Sequence, residues 1–317
     1  MKRILLLLPV FLYAIFANAT KMDEDIVVSV ITCSPGQEVY SLYGHTAIRV
    51  QDRRNGTDHV FNYGVFDFNT DYFVWKFILG HTDYVCMASP WEYFIMEYER
   101  RGSSVVAQRL NLTGSEATKI ADYLYRNIRP ENRTYRYNFL KNNCTTRVMD
   151  CIDSCIDGTL VYAWKDTLLT YRNILHEYTK DYPWTQDGND LLLGADVDTV
   201  LSHRATCFIP DYYMNALSGA VVRNDFQDTR QLVASTDTLV RANHTVRQTE
   251  NGFPLEPWKT GWICFAISLI ILLIERYTRK MMWLLDAILM LSHGIAGCLI
   301  LFMFCFSEHP AVDSNWL

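Results

Sequence analysis

The hydrophobic positions follow two different patterns along the chain. Between Ile26 and Val240, short apolar runs alternate with segments whose apolar residues recur at helical spacing, a pattern typical of mixed strands and helices. From Thr260 to Phe306 there are two long apolar runs instead, which predict membrane helices. The pattern therefore predicts an α+β domain followed by a transmembrane helical hairpin.

The first region predicts a β-hairpin and several capped helices. Segments 46–51 and 58–66 flank a loop that contains Asn55-Gly56, a strong short-range signal of a hairpin turn. Thr113 and Glu116 form a capping box in front of apolar residues at helical spacing, which predicts a helix there. Further strands are predicted over 26–32, 105–110 and 135–139, and further helices over 71–79 and over 89–101, the second opened by Ser89-Pro90.

After Gly158 the pattern changes to helical segments followed by late strands. Pro183-Trp184 and Asp187-Gly188 predict a break between the first two of these helices. The helices are predicted over 167–178, 196–206 and 210–217, and the strands over 220–222 and 231–240.

These patterns divide the chain into consecutive segments. Lys2 and Arg3, the apolar stretch 4–16 and the small residues Ala17 and Ala19 predict a signal peptide that is cleaved before Thr20. A retained membrane anchor is the alternative, which the short apolar stretch disfavours. The segments are a signal peptide (1–19), an α+β core (20–158), a helical extension with late strands (159–242), a polar tether (243–258), two transmembrane helices (259–306) and a tail on the exported side (307–317).

The turn between the two apolar runs sets the predicted orientation in the membrane. Residues 275–280 are rich in basic side chains, and the positive-inside rule places them in the cytoplasm. The segments before and after the transmembrane hairpin then lie on the exported side, in agreement with the signal peptide. Asp286 and His293 share one face of the second run, which we interpret as an interhelical or oligomer contact, with a proton path as the alternative.

The composition disfavours several classes of function. A net charge of −6 argues against nucleic acid as a partner, because binding it requires a basic surface. The cysteines show neither a C-x-x-C pair nor a histidine at a spacing suited to zinc, so we predict no metal site and no cofactor. Most of the exported cysteines are interpreted as small buried hydrophobic residues.

The candidate chemistry is a thiol and an imidazole. Cys144 follows Asn142-Asn143 where a helix is predicted to begin, and the amides and dipole of a helix start stabilise a thiolate. His45 stands at the start of an apolar alternating strand and can serve as the base. The alternative for Cys144 is a core cysteine, because an apolar stripe continues from it along the helix to Cys155. The alternative for His45 is a structural hydrogen bond to the backbone.

The predicted hairpin suggests a third residue for this site. If Gln51 faces Asp58 across the loop, then His45 faces Gly64. Asn62 is then a diagonal neighbour of His45 on the same face, within reach of its side chain. A register slip of one residue would turn a different set of side chains to that face.

Three segments together resemble a family of bacterial membrane proteins whose exported region is called the Lnb N-terminal periplasmic domain. The resemblance implies a circularly permuted papain-like fold of the NlpC type, with Cys144 as nucleophile and His45 as base. Members usually continue into further membrane helices, so the resemblance also implies that the chain is truncated at Leu317. The segments are residues 43–47 (YGHTA), 58–68 (DHVFNYGVFDF) and 142–147 (NNCTTR).

We therefore predict a membrane-anchored periplasmic thiol hydrolase or acyltransferase that acts on an amide, ester or thioester. Asn62 would orient His45, and Tyr43 and Arg147 are candidate substrate-binding residues, with a salt bridge as the alternative for Arg147. The expected partner is a cell-envelope substrate: a peptide, a lipid acyl chain or a small amide. The alternatives are a non-catalytic binding or assembly module on a papain-like scaffold, and a domain that serves the membrane helices.

Overall fold

The structure, a computed structural model, describes residues 25–67, 69–165, 168–224, 228–243, 255–309, 311–312 and 314. The predicted signal peptide, most of the predicted tether and the chain end at Leu317 lie outside these residues. Within them, a mixed α/β domain is followed by two long apolar helices.

The strands fall into a large sheet and a small one. The large sheet has seven strands in the order β10-β5-β1-β2-β3-β4-β6, and the small one has three in the order β7-β8-β9. Neighbouring strands are antiparallel throughout. The strands are β1 (Ile26–Cys33), β2 (His45–Asp52), β3 (Thr57–Val65), β4 (Asp83–Pro90), β5 (Val105–Leu110), β6 (Thr134–Arg136), β7 (Thr159–Val161), β8 (Val221–Arg223), β9 (Thr229–Gln231) and β10 (Val233–Val240).

The helices differ in length between the domain and the membrane region. Those of the domain are short, and the two that follow Pro257 are long and apolar. The helices are α1 (Phe73–Ile78), α2 (Trp91–Arg101), α3 (Gly114–Asn127), α4 (Cys144–Cys155), α5 (Tyr171–Thr179), α6 (Pro183–Leu192), α7 (His203–Thr206), α8 (Pro210–Ser218), α9 (Pro257–Thr278) and α10 (Trp283–Phe306), with 3-10 turns at Val39–Ser41 and Ala195–Asp198.

Both faces of the large sheet are covered by helices. On one face, α3 and α4 bury their apolar stripes against β1, β2 and β3, where Ile120 and Ile152 join Val30 and Phe61 in the main core. On the other face, α2 packs Phe94 against a smaller core cluster. Strand β1 is apolar at nearly every position because both of its faces are buried.

The β-hairpin formed by β2 and β3 has the predicted register. Gln51 lies opposite Asp58, and Ala47 lies opposite Asn62, which is the pairing that brings Asn62 diagonal to His45. The pairing of β3 with β4 shifts between Asn62 and Val65, next to the positive-φ residue Gly64. The sheet is therefore irregular at the end of the hairpin that carries His45.

The region after Gly158 differs from the predicted helices and break. The segment from Pro183 to Leu192 is helix α6, because Pro183 takes the first helical position, where its missing amide costs nothing. The predicted helix over 196–206 is a 3-10 turn and the one-turn helix α7, separated by extended residues. Strand β10 belongs to this region but pairs with β5, so it forms an edge of the large sheet.

The start of α9 and the end of α10 both lie next to the domain. At the start of α9, the indole of Trp184 donates a hydrogen bond to the carbonyl of Leu255 at 2.7 Å. After α10, the hydroxyl of Ser307 donates to the carbonyl of Ile78 at 2.7 Å. Both helices are long and apolar enough to cross a membrane. The basic turn that joins them therefore lies at the far end, as the positive-inside rule requires.

Candidate active site

Helix α4 begins at Cys144 because Asn143 caps it. The Asn143 side-chain oxygen accepts hydrogen bonds from the amides of Thr145 and Thr146 at 2.9 and 3.0 Å. Its side-chain nitrogen donates to the carbonyls of Phe139 and Phe208, at 2.7 and 2.8 Å. A cap held from both sides fixes where the helix starts, so Cys144 is its first residue.

The apolar stripe of α4 continues from Cys144 into the core, as its spacing predicts. Val148, Cys151 and Ile152 on this stripe are fully buried, whereas Cys144 is half-buried. Cys144 thus lies at the outer end of the stripe, where the thiol has core contacts on one side and access on the other. All nine cysteines of the chain, Cys144 among them, are free thiols.

His45 is the first residue of β2 and is held by Asn62. The Nε2 atom of His45 lies 3.1 Å from the Oδ1 atom of Asn62. The Asn62 amide nitrogen donates longer hydrogen bonds of 3.4 Å to the Val60 carbonyl and the Ser89 hydroxyl, which turns Oδ1 towards the imidazole. Because an amide oxygen only accepts, Nε2 carries the proton of this bond, and Nδ1 is left for another partner.

Cys144 and His45 interact closely enough for each to shift the pKa of the other. Burial acts to raise the pKa of the thiol, but the charge and hydrogen bond of His45 and the amide of Thr46 more than offset it, so the pKa is lowered from its ordinary value. Burial likewise acts to lower the pKa of His45, yet Cys144 and then Asn62 stabilise the imidazolium and the pKa is raised. The two opposite shifts favour a thiolate–imidazolium pair.

Two buried threonines join the elements that carry this pair. Thr46 follows His45, Thr145 follows Cys144, and their hydroxyl oxygens lie 3.1 Å apart. Both side chains are completely buried. The bond therefore links the start of β2 to the start of α4, beside His45 and Cys144. Sequence reasoning missed it, although each threonine adjoins a predicted catalytic residue.

Gly64 leaves space beside Cys144. Its φ is +85°, a conformation that residues with a side chain rarely adopt. A Cβ atom at this position would lie 3.8 Å from the Cβ of Cys144 and 3.8 Å from the ring of Tyr137. A side chain here would therefore occupy the space next to Cys144. Sequence reasoning identified Gly64 only as the residue opposite His45.

The structure places the two predicted substrate-binding residues among protein contacts. The hydroxyl of Tyr43 accepts a hydrogen bond from Asn189 of α6 at 3.1 Å, so this side chain bridges to the helical extension. The guanidinium of Arg147 stacks 4.4 Å above the ring of Tyr135 and donates to Asn142 at 2.6 Å. Contact with a substrate remains a prediction for both residues.

The described part of the chain holds no group of three or more His, Cys, Asp or Glu side chains that could bind a metal ion. The chemistry that the site can perform with its own residues is nucleophilic attack by a thiolate, with an oriented imidazole as the proton carrier.

Comparison with known proteins gives two family matches. Residues 17–180 match the Lnb N-terminal periplasmic domain, which is more than half of the 317-residue chain. Residues 248–317 match the Lnb transmembrane domain. No curated protein and no solved structure matches the chain.

Proposed function

The chain belongs to the Lnb family of membrane proteins with a periplasmic domain, and we propose that this domain is a thiol acyltransferase or hydrolase with a permuted papain-like layout. The observation that carries the proposal is the hydrogen bond between Asn62 and His45, together with the opposite pKa shifts that His45 and Cys144 cause in each other. A nucleophile, a base and a group that orients the base form the minimal set for covalent acyl transfer.

In the first half of the reaction, the Cys144 thiolate attacks the carbonyl carbon of an ester, amide or thioester. A carbon–sulfur bond forms, and negative charge develops on the carbonyl oxygen. The Asn143 side chain already accepts from the amides of Thr145 and Thr146, so the amide of Cys144 itself remains at this helix start to stabilise the oxyanion. Collapse breaks the bond to the leaving group, which takes the Nδ1 proton of His45, and a thioester on Cys144 remains.

In the second half, neutral His45 removes a proton from the acceptor, which attacks the thioester. Water as acceptor gives hydrolysis, and an amine or hydroxyl gives acyl transfer. The Cys144 thiolate leaves and the imidazolium is restored, so protons and bonds balance over the cycle. Asn62 keeps the ring in one orientation in both halves, because Nε2 donates to it throughout.

Among the predicted substrates, the surroundings of Cys144 favour an acyl chain. The ring of Tyr137, next to the space beside Cys144, stacks on Tyr84 with ring centres 4.1 Å apart. Tyr84 contacts Phe66 at 4.9 Å, and Phe66 stacks on Phe73 of α1 at 5.8 Å. This aromatic row runs from Cys144 to α1, which the chain after α10 contacts. Tyr84 is buried and the other rings of the row are partly exposed. A hydrocarbon chain fits such apolar surroundings better than a polar peptide does.

The experiment that tests the proposal is to trap the thioester. The full chain in liposomes is incubated with a phospholipid that carries an alkyne-tagged acyl chain, and labelled Cys144 is detected by mass spectrometry. We expect label that neutral hydroxylamine releases, that is lost in Cys144→Ala and kept in Cys151→Ala. Absence of label from lipid, together with label from a tagged acyl-peptide, would reject the acyl-lipid substrate. Absence of label from both would favour the non-catalytic binding module.

A further inference from the structure

We propose that helix α1, with the residue before it, is an interfacial element that inserts into the periplasmic leaflet of the membrane that the two long helices cross. The proposal rests on the family's membrane topology and on the contacts of α1, and it is independent of the proposed catalysis.

Helix α1 presents large apolar side chains to its surroundings. Tyr72 is 78 % exposed, Val74 67 %, Trp75 58 % and Phe77 48 %. The last three lie on a helix of only six residues, FVWKFI, and Tyr72 directly precedes it, so the apolar surface is concentrated. Exposed apolar surface is unfavourable in water. A contiguous patch of this kind marks a surface that another apolar phase covers.

The end of α10 sets the height of α1 relative to the membrane. The backbone amide of Glu308 donates to the carbonyl of Leu79 at 2.8 Å, which adds to the Ser307 bond to Ile78. The ring of Trp75 lies 6.1 Å from that of Phe302 in the last turns of α10. Because α10 leaves the hydrocarbon layer at about this point, α1 lies at the membrane–water interface, where tryptophan and tyrosine are enriched.

The tail after α10 holds this position through several independent contacts. Gly80 has a φ of +72°, and a Cβ atom there would come within 2.7 Å of the His309 amide nitrogen, so the tail backbone lies directly against it. The Glu308 carboxylate pairs with Arg136 at 3.0 Å and with His81 at 3.2 Å. The depth of α1 is thus set by the backbone of the chain that leaves the membrane.

The partner that fits this surface is lipid. The patch adjoins Phe302 of a helix that itself lies in lipid, so one apolar phase can cover both without a gap. Lys76 of α1 supplies a basic side chain beside the patch, suited to the phosphate layer. A second copy of the chain on the same patch is the alternative occupant, which the experiment below tests.

The test measures the depth of a spin label on the full chain in phosphatidylglycerol–phosphatidylethanolamine liposomes. Val74→Cys is labelled, and Tyr93→Cys on α2 is the control because Tyr93 is equally exposed, at 68 % against 67 %. The native cysteines are replaced in both proteins. We expect the Val74 label to collide more with oxygen and several-fold less with a water-soluble nickel chelate than the Tyr93 label does.

Equal accessibility of the two labels to the nickel chelate would overturn the proposal. Protection of Val74 together with dipolar broadening that weakens on dilution of the protein in lipid would also overturn it, in favour of a second copy. Protection that persists at high dilution, without broadening, supports insertion. A catalytically inactive chain would give the same result, so failure here and failure of the proposed function are distinguishable.

Discussion

The hydroxyl oxygens of Thr46 and Thr145 lie 3.1 Å apart in a completely buried position, and each threonine directly follows one member of the His45–Cys144 pair. This hydrogen bond joins two elements that are distant along the chain. Thiol and imidazole can pair only if the start of β2 and the start of α4 keep a fixed separation, and the threonine bond spans that separation.

Thr145→Val keeps the shape of the side chain but removes one partner of this bond. The Thr46 hydroxyl is then buried without a partner, which should destabilise the domain by about 1–3 kcal/mol. We also expect slower alkylation of Cys144, because α4 is no longer tied to β2. Urea unfolding and alkylation rates check the two effects.

The double variant Thr46→Val/Thr145→Val is the matched control. It leaves no unpaired hydroxyl, so its stability should recover towards that of the wild type. The stability loss of the double variant could instead equal the sum of the losses in Thr46→Val and Thr145→Val. That result would show that the two hydroxyls act independently.

Asn62→Ala should lower the pKa of His45, because the hydrogen bond to Asn62 is one of the contacts that raise it. The imidazole also loses its orientation, and turnover should fall by up to about 10²-fold. Asn62→Asp keeps an acceptor oxygen at the same place and should restore much of the rate. The histidine titration by NMR and the turnover of both variants check this. An unchanged His45 pKa in Asn62→Ala would contradict the assigned contact.

The opposite pKa shifts of Cys144 and His45 predict a bell-shaped dependence of acyl transfer on pH. The thiolate forms as pH rises through the lowered pKa of Cys144, and the proton for the leaving group is lost as pH rises through the raised pKa of His45. Activity should therefore peak between the two values. In His45→Ala the apparent pKa at which Cys144 becomes reactive should rise towards the ordinary thiol pKa of about 8.5. An apparent pKa of Cys144 that is unchanged in His45→Ala would show that His45 does not activate the thiol.

Gly64→Ala should block the site while the fold persists. The new methyl group would contact Cys144 and Tyr137, at a φ of +85° that costs about 1–2 kcal/mol for a residue with a side chain. Gly56→Ala is the matched control, because its φ is +65° and nothing lies within 4 Å of the added atom. We expect similar losses in melting temperature, but loss of turnover only at Gly64. Equal turnover of the two variants would exclude a role for this space.

The hairpin was predictable from sequence because its register follows from local rules. Asn55-Gly56 sets the turn, and alternation sets the face, so the contact between Asn62 and His45 follows by counting. The start of α4 was predictable for the same reason, since Asn143 is a local cap.

The parts that sequence reasoning missed depend on contacts between distant segments. Helix α6 contains Gly188, which favoured a break by local rules. The carboxylate of Asp190 in α6 pairs with Arg172 and His176 of α5, and Asn189 of α6 donates to Tyr43, and these contacts stabilise the helix. The pairing of β10 with β5 and the docking of Ser307 on α1 likewise join distant segments. Periodicity identifies an element but does not identify its partner.

Whether His45 activates Cys144 is measured by the pH dependence of Cys144 alkylation. The full chain is treated with iodoacetamide from pH 4 to 9, and each cysteine is read by its own peptide. Separate readings are necessary because a hydrogen bond from Cys151 lowers the pKa of Cys155 to about 6.

We expect fast alkylation of Cys144 with an apparent pKa below that of an ordinary thiol, and loss of this reactivity in His45→Ala. Slow alkylation with an ordinary pKa, unaffected by His45→Ala, would mean that Cys144 is a core cysteine and that the domain binds without catalysis.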